Sequence, residues 1–85
     1  MDNLVDDLVA LWRELLDDGL RGPDAFTPDS NFFVEGGHSL LGMVLLDRLE
    51  QRTGISLRLA DLFKDPTPAR LAARVHALAA EGVAG

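Results

Sequence analysis

The chain has 85 residues, 47% of them hydrophobic, no cysteine and a formal net charge of −6. Such a length builds one core, and without thiols that core is held by packing alone, with no disulfide, thiolate zinc site or cysteine nucleophile. The acid excess is the reverse of the basic footprint nucleic acid requires, the chain is too short for a deep catalytic pocket, and no apolar run approaches the roughly 18 residues of a membrane span.

Leu4, Leu8, Leu11, Trp12 and Leu15 recur at helical spacing and predict a first helix from Leu4 to Leu16. Asp2, Asp6 and Asp7 crowd its positive end, and Gly19 supplies a stop. Residues 19–38 then lose the helical period to Gly19, Gly22, Pro23, Pro28 and short polar residues. A connection this long is functional or disordered unless something anchors it. Phe26, Phe32 and Phe33 are expected to dock onto the helices and make it an ordered strap.

Ser39 opens a second helix, with Leu41, Val44, Leu45 and Leu49 on its buried face and Thr53-Gly54 at its close. A short apolar alternation runs from Ile55 to Leu59, and Ala60 to Lys64 is long enough for about one helical turn before Asp65-Pro66. Thr67 is placed as the N-cap and Pro68 as the first residue of a last helix carrying Leu71, Val75 and Leu78. Gly82 to Gly85 are expected to fray. Helices with one apolar stripe each must pool those stripes, so the predicted fold is all-α: a small four-helix bundle, three longer helices and one short, with a long ordered loop between the first and second. Residues 1–85 are read as one domain with its helical core over about 3–80.

Charge is unevenly spread. Nine acids and two bases precede Ser39, a net of −7, whereas five acids and six bases from Ser39 onward give +1. A cationic partner would meet the first half. The N-terminus opens on Asp2, not on a basic stretch leading into an apolar segment, so a cytoplasmic location is expected.

The segment Gly36-Gly37-His38-Ser39-Leu40 joins loop to helix and is the strongest chemical signal in the chain. Two glycines leave a serine uncovered at a helix start, where free backbone N–H groups and the dipole favour a phosphate. Spacing alone leaves two readings open: Ser39 as an ordinary helix cap, or as a site of phosphate-ester attachment. His38 and Ser39 are not a nucleophile–base pair, because adjacent residues at a helix start diverge and no third group orients the imidazole. His76 is expected to face solvent, and two separated histidines without cysteines make no metal site, although His38 with Glu35 could collect adventitious metal. Leu40 and Met43 sit three apart, offset from the main stripe. They either widen the buried face or form a docking patch for partners, which Leu62 or Phe63 would extend.

Asn31-Phe32-Phe33, Gly36-Gly37-His38-Ser39-Leu40-Leu41, Met43, Gln51-Arg52-Thr53-Gly54, Leu62-Phe63, Pro66-Thr67 and Leu71-Ala72-Ala73-Arg74-Val75, taken together, resemble the peptidyl carrier proteins of nonribosomal peptide synthesis. The resemblance implies a non-enzymatic carrier in which Ser39, with Gly37 and His38 beside it, receives a 4′-phosphopantetheine arm from coenzyme A through a phosphopantetheinyl transferase. The arm's thiol then holds an aminoacyl or peptidyl group as a thioester, an imported sulfur in a chain that has none to offer as a thiol. It implies partners as well: an adenylation enzyme for loading, then condensation, tailoring or thioesterase enzymes, meeting Leu40, Met43, Leu62 and Phe63 on a monomer. Histidine before the serine is similar to the peptidyl branch, where acyl carriers of polyketide or fatty-acid pathways more often carry aspartate. An acyl carrier, and a non-covalent helical interaction module, are the alternatives. Two residues depart from the family pattern: Glu35 stands where leucine usually precedes the glycines, and Gly42 where alanine is common. Met1 begins about where the first helix must begin, and the chain stops after the last, which is read as a free-standing carrier, with a domain excised from a larger synthetase as the alternative.

Overall fold

The computed structural model describes residues 3–22 and 25–84, with side chains through 81. Four helices follow one another: α1 (Leu4–Leu16), α2 (Ser39–Thr53), α3 (Leu59–Lys64) and α4 (Pro68–Ala84), and there is no strand among the described residues. The expected first-turn acid Asp2, the loop residues Pro23 and Asp24, and Gly85 lie outside the described residues.

Along α1 the buried ridge is Leu4, Leu8, Trp12 and Leu16, an unbroken i, i+4 row, with Leu11 beside it. Leu15, expected on that face, is only half-buried, and Leu16 takes its place. The helix ends as Asp17 turns extended, and the carboxylates of Asp17 and Asp18 accept from the amides of Gly19 and Leu20, each at 2.9 Å. The expected stop glycine therefore lies in a side-chain-stabilised turn, where its φ of +82° suits it.

The buried arc of α2 is Gly42, Leu45, Leu46 and Leu49. This corrects the predicted face in two places: Val44 lies outside the core at 37% exposure, and Leu46 is inside it. Gly54, at φ +74°, closes α2 with its amide on the Glu50 carbonyl. In α3, Asp61 accepts from the amide of Arg58, and the helix starts at Leu59. Thr67 Oγ1 accepts from Arg70 N at 3.2 Å, the predicted cap of α4. That helix continues through Gly82 to Ala84, past the expected point of fraying. One glycine in an alanine-rich last turn costs about 1 kcal/mol and does not by itself break a helix.

α1 packs on α4 and on α2, and α3 packs on α2. Phe26 and Phe32 of the loop are buried among them, and Phe32 meets Trp12 edge to face with centroids 5.3 Å apart. Main-chain bonds from Phe32 N to Pro66 O (2.8 Å) and from Ala69 N to Pro28 O (3.0 Å) stitch the loop to the α3–α4 junction. The aromatic strap expected from the sequence is thus tied by backbone as well as by rings.

Candidate functional site

A chain of small constraints presents Ser39. Asn31 Oδ1 accepts from the amides of Phe33 and Val34, at 3.0 and 3.2 Å, and starts a turn that runs to Gly36. Gly36 closes it at φ +112°, a conformation that side chains disfavour. Gly37 N then donates to Phe32 O at 2.8 Å. A Cβ on Gly37 would stand 2.4 Å from the Phe32 ring and 2.6 Å from its carbonyl oxygen, so this glycine lets the chain pass over a buried aromatic. The two glycines thus serve the turn and the Phe32 packing first, and the uncovered serine follows from both.

His38 is the N-cap of α2, extended at φ −143°, and Ser39 is the first helical residue. The cap reading of Ser39 is therefore displaced by one position. His38 Nδ1 accepts from Leu41 N at a long 3.4 Å, which engages that nitrogen with the backbone and not with Ser39. The Ser39 side chain is exposed and has no hydrogen-bond partner among the described residues. The first turn of α2 contains no acid, in contrast to α1 with Asp6 and Asp7 and α3 with Asp61. An incoming phosphate at Ser39 would meet open N–H groups and the positive helix end without a carboxylate in that turn. The donor set fits a phosphate ester on this oxygen.

Exposed apolar side chains follow the serine on α2 and stand on α3. Leu40 is 69% exposed, Met43 61% and Phe63 54%. Phe63 stacks on Phe33, with centroids 4.8 Å apart and rings 16° from parallel, so strap and α3 share one aromatic surface. Leu62 does not belong to it. That residue is fully buried beneath Gly42, leaving Phe63 as the member of the pair that faces outward. Gly42 itself is a packing residue: a Cβ there would come within 3.0 Å of both Leu59 Cδ1 and Leu62 Cδ2, so its absence lets α3 sit close against α2.

Glu35 also has a place that spacing did not reveal. Its carboxylate accepts from Arg21 Nη1 at 2.6 Å, its carbonyl accepts from Arg21 Nη2 at 2.8 Å, and the same guanidinium lies 5.0 Å from the Phe26 ring centroid. No group of three or more potential metal ligands forms among the described residues, so His38 and Glu35 are not joined into such a cluster. His76 is exposed on α4, as expected. Among the described residues no helix is long and apolar enough to cross a membrane.

The profile of a family described as "Phosphopantetheine attachment site" matches residues 6–75. Surfactin synthase subunit 2 of Bacillus subtilis (strain 168) is 38% identical over 79 residues, 93% of this chain and 2% of that protein. The chain thus spans a very small part of that relative's length. The structure of BlmI, a type-II acyl-carrier-protein from Streptomyces verticillus involved in bleomycin biosynthesis, superposes with a TM-score of 0.74 at 29% identity, over 88% of this chain and 84% of that one. The structure of the phosphopantetheine transferase Sfp in complex with coenzyme A and a peptidyl carrier protein gives a TM-score of 0.76 at 28% identity, over 91% and 94%.

Proposed function

The chain belongs to the phosphopantetheine attachment-site family, and from that premise we propose that it is a peptidyl carrier whose 4′-phosphopantetheine arm is attached to Ser39. The observation that carries the residue assignment is the exposed Ser39 hydroxyl, without a partner among the described residues, at the acid-free first turn of α2. Residues 1–85 act as one carrier unit in this reading.

Ser39 Oγ supplies the oxygen of the new phosphoester. The bond to phosphorus forms as the diphosphate linkage of coenzyme A breaks, the nucleotide leaves, and the serine proton passes to a base of the transferase. His38 is not that base, since its Nδ1 is held by Leu41 N. Gly37 and His38 hold the backbone that lifts the serine, and the amides of Ser39 and Leu40 at the start of α2 would stabilise the ester's negative charge, that of Leu41 being taken by His38. When bound, the arm provides the thiol on which an aminoacyl or peptidyl group is carried as a thioester. Leu40, Met43 and Phe63 meet the partner enzymes, an adenylation enzyme first and condensation, tailoring or thioesterase enzymes afterwards. The chain carries a group between active sites and catalyses nothing itself.

The test is intact-mass measurement after incubation with coenzyme A and a promiscuous phosphopantetheinyl transferase. One adduct, lost in Ser39→Ala, is expected; an adduct that survives Ser39→Ala, or none on the wild type, overturns the assignment. Loading of the modified protein by adenylation enzymes, set against malonyl transferases, distinguishes an aminoacyl cargo from an acyl one.

A further inference from the structure

Arg21 and Glu35, towards the two ends of the strap, are clasped together. Three contacts converge on one guanidinium: the Glu35 carboxylate at 2.6 Å, the Glu35 carbonyl at 2.8 Å and the Phe26 ring at 5.0 Å. The ion-paired side chains are only 29% and 28% exposed, and Phe26 beneath them is buried in the core. Such a pair is held more firmly than an ordinary surface salt bridge, because the cation is seated on a fixed ring and bonds a backbone atom as well. Glu35 immediately precedes Gly36, whose φ of +112° sets the direction in which Gly37, His38 and Ser39 leave the turn. Main-chain bonds from Gly36 N to Phe33 O (3.4 Å) and from Gly37 N to Phe32 O (2.8 Å) hold the turn from within, and the nearest side-chain anchor upstream is Glu35.

We propose that Arg21 and Glu35 are positioning residues for modification of Ser39: their clasp holds the segment from Gly36 to Ser39 in the arrangement a transferase engages, so that breaking it weakens recognition of the carrier without unfolding it. The proposal rests on Ser39 being the attachment residue. Neither residue touches the reacting atoms. With the clasp open, the turn samples other exits and only a fraction of molecules is competent. The apparent affinity for the transferase falls by that fraction, while the bound complex still reacts at its normal rate.

The experiment uses the full chain with coenzyme A and a promiscuous transferase, with kinetics followed by intact mass, for wild type, Glu35→Gln, Arg21→Met and the Arg21→Glu/Glu35→Arg exchange. In the single variants KM for the carrier should rise about five- to tenfold with kcat within about twofold. The exchange should recover part of the loss, because it restores the ion pair but not the seat on Phe26. Amide shifts of Gly36, Gly37 and Ser39 should move in the single variants while those of α4 stay in place. A purely structural role would instead lower the melting temperature and move the α4 amides together with those of the turn, and that outcome overturns the proposal, as does wild-type KM in Glu35→Gln. No adduct on the wild type overturns the assignment of Ser39 instead, and the amide shifts then still report whether the clasp orders the turn.

Discussion

The indole Nε1 of Trp12 donates to the main-chain carbonyl of Ser30 at 3.0 Å, a buried bond between residues 18 apart in sequence. It places a polar edge of the strap inside the core and satisfies it from α1. Trp12→Phe removes the donor, leaves that carbonyl without its partner and opens space beside Phe32. The expected loss is about 2–4 kcal/mol, the sum of an orphaned buried acceptor and lost packing. Denaturant unfolding followed by circular dichroism measures it. The wild-type chain has only this one tryptophan, so its emission reports the same contact directly.

Gly37→Ala and Gly36→Ala separate two reasons for a glycine. At Gly37 the new methyl would collide with backbone and ring of Phe32, at 2.6 and 2.4 Å, and neither can retreat within a packed core. At Gly36 nothing lies within 4 Å and only the positive φ is strained. Gly36→Ala should therefore cost about 1–3 kcal/mol and Gly37→Ala clearly more. Equal melting temperatures for the two variants would contradict this account.

Gly42→Ala sets helix propensity against crowding. Alanine gains up to about 1 kcal/mol in a helix interior, but the Cβ would press on Leu59 and on the fully buried Leu62 at 3.0 Å. Overpacking of this kind costs about 1–3 kcal/mol, so the net change should be destabilising by about 1 kcal/mol. Methyl resonances of Leu59 and Leu62 should shift as α3 is pushed outward.

Leu62→Ala and Leu40→Ser should behave oppositely. Leu62 is fully buried, and truncation should cost about 2–5 kcal/mol. Leu40, at 69% exposure, should leave stability within about 0.5 kcal/mol while slowing loading by an adenylation enzyme through a raised KM. Thermal denaturation and loading kinetics on the same samples test both.

Arg74 joins α4 to α3, with Nε 2.5 Å from Asp65 and Nη1 3.2 Å from Asp61. The hydrogen bond it donates to Asp65 foremost, and the charges of Asp65 and Asp61, raise the guanidinium above its ordinary range. A cation raised on folding contributes below its unfolded value and loses that contribution only as pH climbs through the folded one. Arg74 should thus hold α3 unchanged from neutral pH to about pH 10. Arg74→Met should lower stability modestly, and the difference from wild type should shrink in high salt.

Helix number and order were legible, and so were the ends that carry punctuation: acids at the start of α1, Pro68 after Thr67, Gly54 after Thr53; the close of α4, which runs past Gly82, was not. The exposed place of Ser39 at the loop–helix junction was legible through its neighbours. What escaped has a common cause in crowding. With Leu40, Leu41, Leu45, Leu46 and Leu49 on one helix, several rotations of α2 bury a leucine stripe, and only the packing of Gly42 onto α3 selects among them. Six residues of α3 are too few for periodicity to distinguish Leu62 from Phe63. The Arg21–Glu35 clasp joins loop residues 14 apart, a relation that neither helical nor strand spacing encodes. The capping shift from Ser39 to His38 is a matter of one residue, within the ordinary uncertainty of helix ends.

The two main-chain bonds from the strap to the α3–α4 junction, Phe32 to Pro66 and Ala69 to Pro28, make an irregular segment behave as a load-sharing member of the bundle. Hydrogen exchange at the amides of Phe32 and Ala69 should then be as slow as at the centre of α1, requiring global opening instead of a local breath. A protease would gain no early foothold between residues 28 and 37. Its first cut is expected near Leu20, where the chain stands 90% exposed.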